Sequence, residues 1–287
     1  MSKAVETILV SSHPDDVALS IGGSILSGYF RRPFLLVSAF SYGGWAPYLS
    51  GKHDKEIIFR QRTGEDVGYA KAIGSDLIQL GQRDAALECM FGADFNFQRW
   101  LASIIRGRVI RGEKKINWLE NGLGNLTQFK VPRVIRWSVM EKMARFDRVY
   151  GELENKLNTI ASRFPDATLV SPLAIGLHPD HVLVARACKG LSKKMRTCYY
   201  EDLPYARDYP LSSIGHHLAR FDPCLRPSLV DIEGVLNEKV EVLRLYESQL
   251  GPRDFDKVLS HAKRVDAGGR ACERIWMAGG SRRGSPP

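Results

Sequence analysis

Short apolar runs alternate along the chain with longer segments of mixed polarity. Residues 6–12 (ETILVSS) are apolar and β-branched and predict a buried strand. Residues 16–29 follow a tight connection and predict a helix, in which Gly22 and Gly23 allow close packing or close approach to a ligand. The alternation then repeats. Strands are expected at 33–40, 76–80, 168–173 and 196–200, and helices at 55–73, 147–164 and 179–193. Residues 228–232 predict a sixth strand, followed by a helix over 232–249. This order implies an α/β fold with a doubly wound, mostly parallel sheet, Rossmann-like in type.

Two stretches break the rhythm. Residues 92–132 are basic and glycine-punctuated, and read as an insertion beside the active face of a single domain spanning 1–287. Residues 279–287 read as a disordered tail. A loop at 41–48 (SYGGWAPY) is rich in glycine and aromatic residues and suits a larger or partly apolar ligand.

Composition narrows the class. Hydrophobic residues make up 44% and charged residues 25%, as in ordinary globular proteins. No run approaches the roughly 20 apolar residues of a membrane-spanning helix. The first ten residues lack the apolar region and cleavage site of a signal peptide, so a cytoplasmic protein is expected. Five dispersed cysteines fit reduced thiols, not a disulfide framework, which leaves metal binding to histidine and carboxylate. The net charge is +9, from 41 Lys and Arg against 32 Asp and Glu, and it is concentrated over residues 99–148. That stretch reads as a solvated helical insertion. It shows no nucleic-acid motif, and Trp100, Trp118, Phe129 and Trp137 are not spaced as a stacking platform, so nucleic acid is not an expected partner. A non-enzymatic binder of anionic polymers, acting through the insertion, stays open as a second class.

The chemistry lies in two short segments, each directly after an expected strand. Ser12-His13-Pro14-Asp15-Asp16 joins one imidazole and two carboxylates, and His178-Pro179-Asp180-His181 adds two imidazoles and a carboxylate. Parallel sheets bind ligands at the carboxyl ends of their strands. The two segments, Asp84 after the third strand, and Tyr200 to Asp202 after the fifth all fall on that edge. Either segment alone is compatible with helix capping; two together on one edge point to a metal. A catalytic zinc takes three protein ligands and an open position. His13, Asp16 and His181 satisfy that, leaving Asp15 as general base and His178 to stabilise an oxyanion or protonate a leaving group. Asp180 is suited to orienting a neighbouring histidine. Iron(II), cobalt or nickel also suit two histidines and an aspartate.

At these residues the sequence resembles the PIG-L / LmbE-like family of zinc-dependent N-deacetylases. His13-Pro14-Asp15-Asp16 with Gly22-Gly23 looks like the family's first motif, and His178-Pro179-Asp180-His181 like its second. The resemblance implies one zinc per chain on His13, Asp16 and His181, Asp15 as base, His178 as transition-state stabiliser and Asp180 as its support. Arg62-Thr-Gly-Glu65 and Leu80-Gly-Gln-Arg-Asp84 resemble substrate segments, which implies that Arg62 and Asp84 bind the sugar. The segments at 199–205 and 245–250 are also family-like. Val17 stands where many members are acidic, Arg83 where many have proline, and Gly176 where some have a tyrosine that assists the oxyanion. The implied reaction removes an N-acetyl or related N-acyl group from a small-molecule amino-sugar or glycoconjugate substrate. The same site acting on a non-sugar amide, such as an acylated antibiotic intermediate, is the alternative.

Overall fold

The apolar runs become the centre of one sheet in a computed structural model that describes residues 4–43, 46–50, 54–83 and 147–278. Asp84, the basic segment 92–132 and the tail 279–287 lie outside the described residues. Strands β1 (Thr7–Ser11), β2 (Phe34–Ser38) and β4 (Thr168–Pro172) are buried along their whole length, as is β5 (Thr197–Tyr200). β3 (Ser75–Gln79) is half-buried. Side chains that face apolar layers on both sides give such uninterrupted apolar strands.

The helices are α1 (Asp16–Leu26), α2 (Lys55–Ala72), α3 (Asp147–Arg163), α4 (Pro179–Leu191), α5 (Leu211–Phe221), α6 (Leu236–Leu243) and α7 (Pro252–Val265). None among the described residues is long and apolar enough to cross a membrane. β6 (Arg226–Asp231) and β7 (Cys272–Met277) complete a seven-stranded sheet in the order β3-β2-β1-β4-β5-β7-β6. β1 to β5 pair in parallel. From β1 the chain runs outward through β2 and β3, then returns to the other side of β1 as β4 and β5. The strand order therefore reverses between β1 and β4, and ligands of open α/β sheets bind at such a reversal. Both histidine segments flank it.

The expected parallel core is present, but the sheet is mixed. β7 pairs antiparallel with β5 and β6. The pattern of β7 hid it, because Glu273 occupies a position only 4% exposed. Its carboxylate accepts hydrogen bonds from Gly23 N (3.0 Å), Ser24 N (2.7 Å), Ser24 Oγ (2.6 Å) and Lys239 Nζ (2.6 Å). Lys239 also donates to Leu19 O at 2.8 Å. This clasp joins α1, α6 and β7. A Cβ on Gly23 would lie 2.8 Å from Ile232 Cγ2 and 2.9 Å from Glu273 Oε1. Gly23 thus serves close packing inside the fold.

The helix expected over 232–249 is shorter. A 3-10 turn (Glu233–Val235) leads into α6, which stops at Leu243. The following residues turn inward: Tyr246 Oη donates to Pro14 O (2.6 Å), and Ser248 N and Oγ donate to Glu65 (2.9 and 2.8 Å). Continuing the helix would forfeit those buried bonds. α5 and α7 were not expected from the sequence.

Candidate metal centre

The loop after β1 is held from three sides. Ser11 Oγ donates to His13 O and accepts from Val17 N (3.2 Å), closing the turn from within. Tyr200 Oη donates to Val10 O (2.9 Å), and Tyr246 fixes the Pro14 carbonyl. Val17 is fully buried in the core, where an apolar side chain belongs. The loop after β4 is tighter. Ala174 (φ 59°), Gly176 (φ 92°) and Leu177 (φ 58°) all adopt left-handed backbone. Such conformations cost about 1–3 kcal/mol for each non-glycine and collect at functional sites. The loop is secured by Leu173 N donating to Tyr200 O (3.0 Å) and Ile175 N donating to Asp202 Oδ2 (2.9 Å).

These loops bring three donor atoms together. His13 Nδ1 lies 3.5 Å from Asp16 Oδ2, His181 Nε2 lies 3.3 Å from the same oxygen, and the two nitrogens are 3.3 Å apart. A tetrahedral ion with bonds of about 2.0–2.1 Å spaces its ligands by about 3.3–3.4 Å. The three atoms therefore fit one face of such a site. His178 stands beside them, its ring 5.1 Å from that of His13 and 5.3 Å from that of His181. A nitrogen from each of the three imidazoles falls within 4.8 Å of the others, which itself suggests a metal. The triangle containing Asp16 is the tighter of the two groupings and the better match to tetrahedral spacing.

The outward nitrogens are also held. His13 Nε2 donates to Asp180 Oδ2 (2.9 Å), and His181 Nδ1 donates to Asp202 Oδ1 (2.6 Å). Each carboxylate fixes a tautomer that turns the other nitrogen's lone pair inward. Asp180 was expected to support His178. Its Oδ2 lies 3.9 Å from His178 Nδ1, against 2.9 Å from His13 Nε2. The carboxylate on the first turn of α4 therefore reaches both histidines and lies nearer to His13.

Capping does not explain these carboxylates. Asp15 and His178 occupy the N-cap positions of α1 and α4, and neither side chain makes a cap bond. Asp16 Oδ2 instead accepts from His13 N at 2.7 Å.

The electrostatics favour a cation at the centre. Burial alone would lower His13 and His181, but Asp16 with Asp180, and Asp16 with Asp202, outweigh it and raise both. Burial works against ionised Asp16, yet the charges of His181 and His13 bring it down to about 2. Asp15 goes the other way. Burial, then the charge of Asp16, push it up to about 6, with Arg62 and His13 opposing.

Arg62 and Glu65 do not form a surface pair, being 3% and 6% exposed. Glu65 fastens α2 to Ser248 and accepts from Gln61 Nε2 (3.1 Å). Arg62 Nε has no hydrogen-bond partner among the described residues, and its charge acts on Asp15. Tyr42 of the aromatic loop packs on Phe59 (4.8 Å), with Arg83 over its ring (5.4 Å). Three residues near the centre had no role assigned from sequence: Asp202, Tyr205 and Tyr246. Asp202 had a signal, since it follows β5 on the same sheet edge.

No protein-family model matches the chain. It is 27% identical over 294 residues to the 2'-N-acetylparomamine deacetylase of Streptomyces fradiae, spanning 98% of this chain and 86% of that protein. Its fold is similar to that of the A40926 pseudoaglycone deacetylase, with a TM-score of 0.60 and 18% identity, covering 96% of this chain and 97% of that one. It is likewise similar to the zinc-inhibited form of teicoplanin deacetylase, with a TM-score of 0.60 and 18% identity over 96% of this chain and 100% of that one. At these identities the two structures establish a shared fold.

Proposed function

We propose that the chain is a zinc-dependent N-deacetylase of the PIG-L / LmbE-like family, acting on the N-acetyl or a related N-acyl group of an amino-sugar-containing small molecule. One observation carries the reading: His13 Nδ1, Asp16 Oδ2 and His181 Nε2 converge at 3.3–3.5 Å. These three residues would hold one zinc per chain, and other divalent ions of similar preference would fit. When bound, the ion supplies Lewis acidity toward water and the amide carbonyl.

The chain's own residues do the rest. Asp15, which is not needed as a ligand, takes a proton from the attacking water as general base. The water oxygen bonds to the carbonyl carbon, the C–N bond breaks, and a proton passes to nitrogen, leaving acetate and a free amine. His178, which is partly exposed, is assigned to steady the oxyanion or deliver that proton. Asp180 and Asp202 keep His13 and His181 aimed inward. Arg62 tempers Asp15 and, with Asp84, is assigned to the sugar hydroxyls.

The substrate class follows the relative of near-full coverage, whose name describes deacetylation of an N-acetylated paromamine. The second substrate class is a non-sugar amide, such as an acylated antibiotic intermediate, cleaved at the same site. Cys188, Cys198, Cys224 and Cys272 are free thiols, which fits the proposed cytoplasmic setting. Zinc-loaded protein is expected to release acetate from a panel of N-acetylated amino sugars, with acyl chain and aglycone varied to separate the two substrates. No release with the metal demonstrably bound would sink the reading.

A further inference from the structure

Gly176 and Tyr205 account for each other. A Cβ built on Gly176 would lie 2.7 Å from Tyr205 Cβ and 2.9 Å from its Cγ. Any side chain at 176 would therefore push the ring away. In its observed place the ring stands edge-on to His181 (centroids 5.4 Å, 87°) and 6.1 Å from His178 at 31°. Like Asp15 and His178, Tyr205 is partly exposed.

The turn that carries the ring is braced. Tyr205–Asp208 forms a 3-10 turn in which Ala206 N donates to Asp202 O at 2.7 Å. From α7, Arg264 donates to Ala206 O (2.8 Å), Arg207 O (3.0 Å) and Tyr209 O (3.0 Å). Arg207 Nε donates to Ser260 Oγ at 2.7 Å. Rigid support of this kind is what a positioned hydrogen-bond donor needs.

Other tyrosines sharpen the contrast. Tyr200 and Tyr246 use their hydroxyls to anchor Val10 O and Pro14 O. No hydrogen bond among the described residues ties down the Tyr205 hydroxyl.

We infer that Tyr205 is a further catalytic residue of the proposed deacetylation. Its hydroxyl donates a hydrogen bond to the amide carbonyl oxygen as that oxygen becomes an oxyanion, a task it shares with His178. The inference rests on the deacetylase reading and deepens it.

Tyr205→Phe keeps the ring and removes only the donor. Compared with wild type on an N-acetylated amino sugar, its kcat is expected to fall about 10- to 100-fold, with KM within about threefold and zinc content unchanged. An unchanged kcat overturns the inference. So does a fall that tracks loss of zinc, since that is a structural role. Should Tyr205→Phe not fold, 3-fluorotyrosine at position 205 supplies a second measurement. Its ¹⁹F resonance is expected to shift when a tetrahedral phosphonamidate analogue of the acetamide binds, and binding without a shift overturns the inference. Failure of the deacetylase reading looks different: wild-type protein neither releases acetate nor binds the analogue, and both proposals fall.

Discussion

Glu201 and Asp202 are neighbours just past β5, yet they serve two different buried histidine clusters. Glu201 accepts from His261 Nε2 (2.9 Å), Arg274 Nε (2.6 Å) and Trp276 Nε1 (2.9 Å), while Arg264 donates to His261 Nδ1 (3.1 Å). Both nitrogens of His261 are engaged, one as donor and one as acceptor, and the ring is held neutral. Asp202 engages only the outer nitrogen of His181. The inner nitrogen faces His13 and Asp16 at 3.3 Å. A histidine satisfied at both ends is architecture. Histidines satisfied at the outer end, with inner lone pairs converging on one carboxylate oxygen, make a ligand set. Burial alone does not separate the two, since both clusters are buried.

The largest expected effect breaks the ligand set. His181→Ala should cut bound zinc from about one per chain to near none, read by elemental analysis, and abolish turnover. Asp15→Ala separates chemistry from binding: zinc stays, and kcat falls about 10²- to 10⁴-fold. If Asp15→Ala lost the metal as well, Asp15 would be a ligand and the division of roles would be wrong. His261→Ala should leave zinc in place, because its cluster holds none.

A smaller effect distinguishes the neighbouring carboxylates themselves. Asp202→Asn weakens the hold on the outer nitrogen of His181, and zinc affinity is expected to drop about 10- to 100-fold in a chelator competition. Glu201→Gln should leave zinc affinity unchanged while lowering the melting temperature, since it disturbs a buried network with three donors. Equal zinc affinities in the two variants would erase the distinction.

Much of the candidate metal centre was legible because its residues are local in sequence. His13, Asp15 and Asp16 share one turn, His178 and His181 another, and each turn follows an apolar strand. The order of strands then places both on one edge. What was not legible depends on tertiary contacts. The orientation of Asp180 toward His13 crosses 167 residues, and the bond from Tyr246 to Pro14 crosses 232. Tyr205 reaches the centre only because Gly176 lacks a side chain. β7 escaped notice because Glu273 is buried in the clasp with Lys239, which inverts the usual polarity of its position. α7 escaped because its buried face mixes His261 with Val258, Ala262 and Val265. The expected helix over 232–249 overran because Tyr246 and Ser248 find better partners outside it.

The smallest expected effect is a pH dependence that belongs to architecture alone. Burial lowers His261 below the ordinary histidine value of 6.5, although Glu201 opposes this. The unfolded chain therefore takes up a proton near that pH which the folded chain refuses, so stability falls as pH drops below about 6.5. Glu201 adds to the loss further down. Burial would raise it, but His261 and Arg274 hold it below 4.5, so its contribution is present above that value and is lost as pH falls through the folded one. His261→Gln keeps a donor for Glu201 and removes the titration. Thermal melts of zinc-loaded protein between pH 7.5 and 5.5 should then show a shallower decline, by about 2–4 °C at the acid end. An identical decline in both proteins would mean that His261 charges freely while folded, and the cluster would lose its claim to hold a neutral histidine.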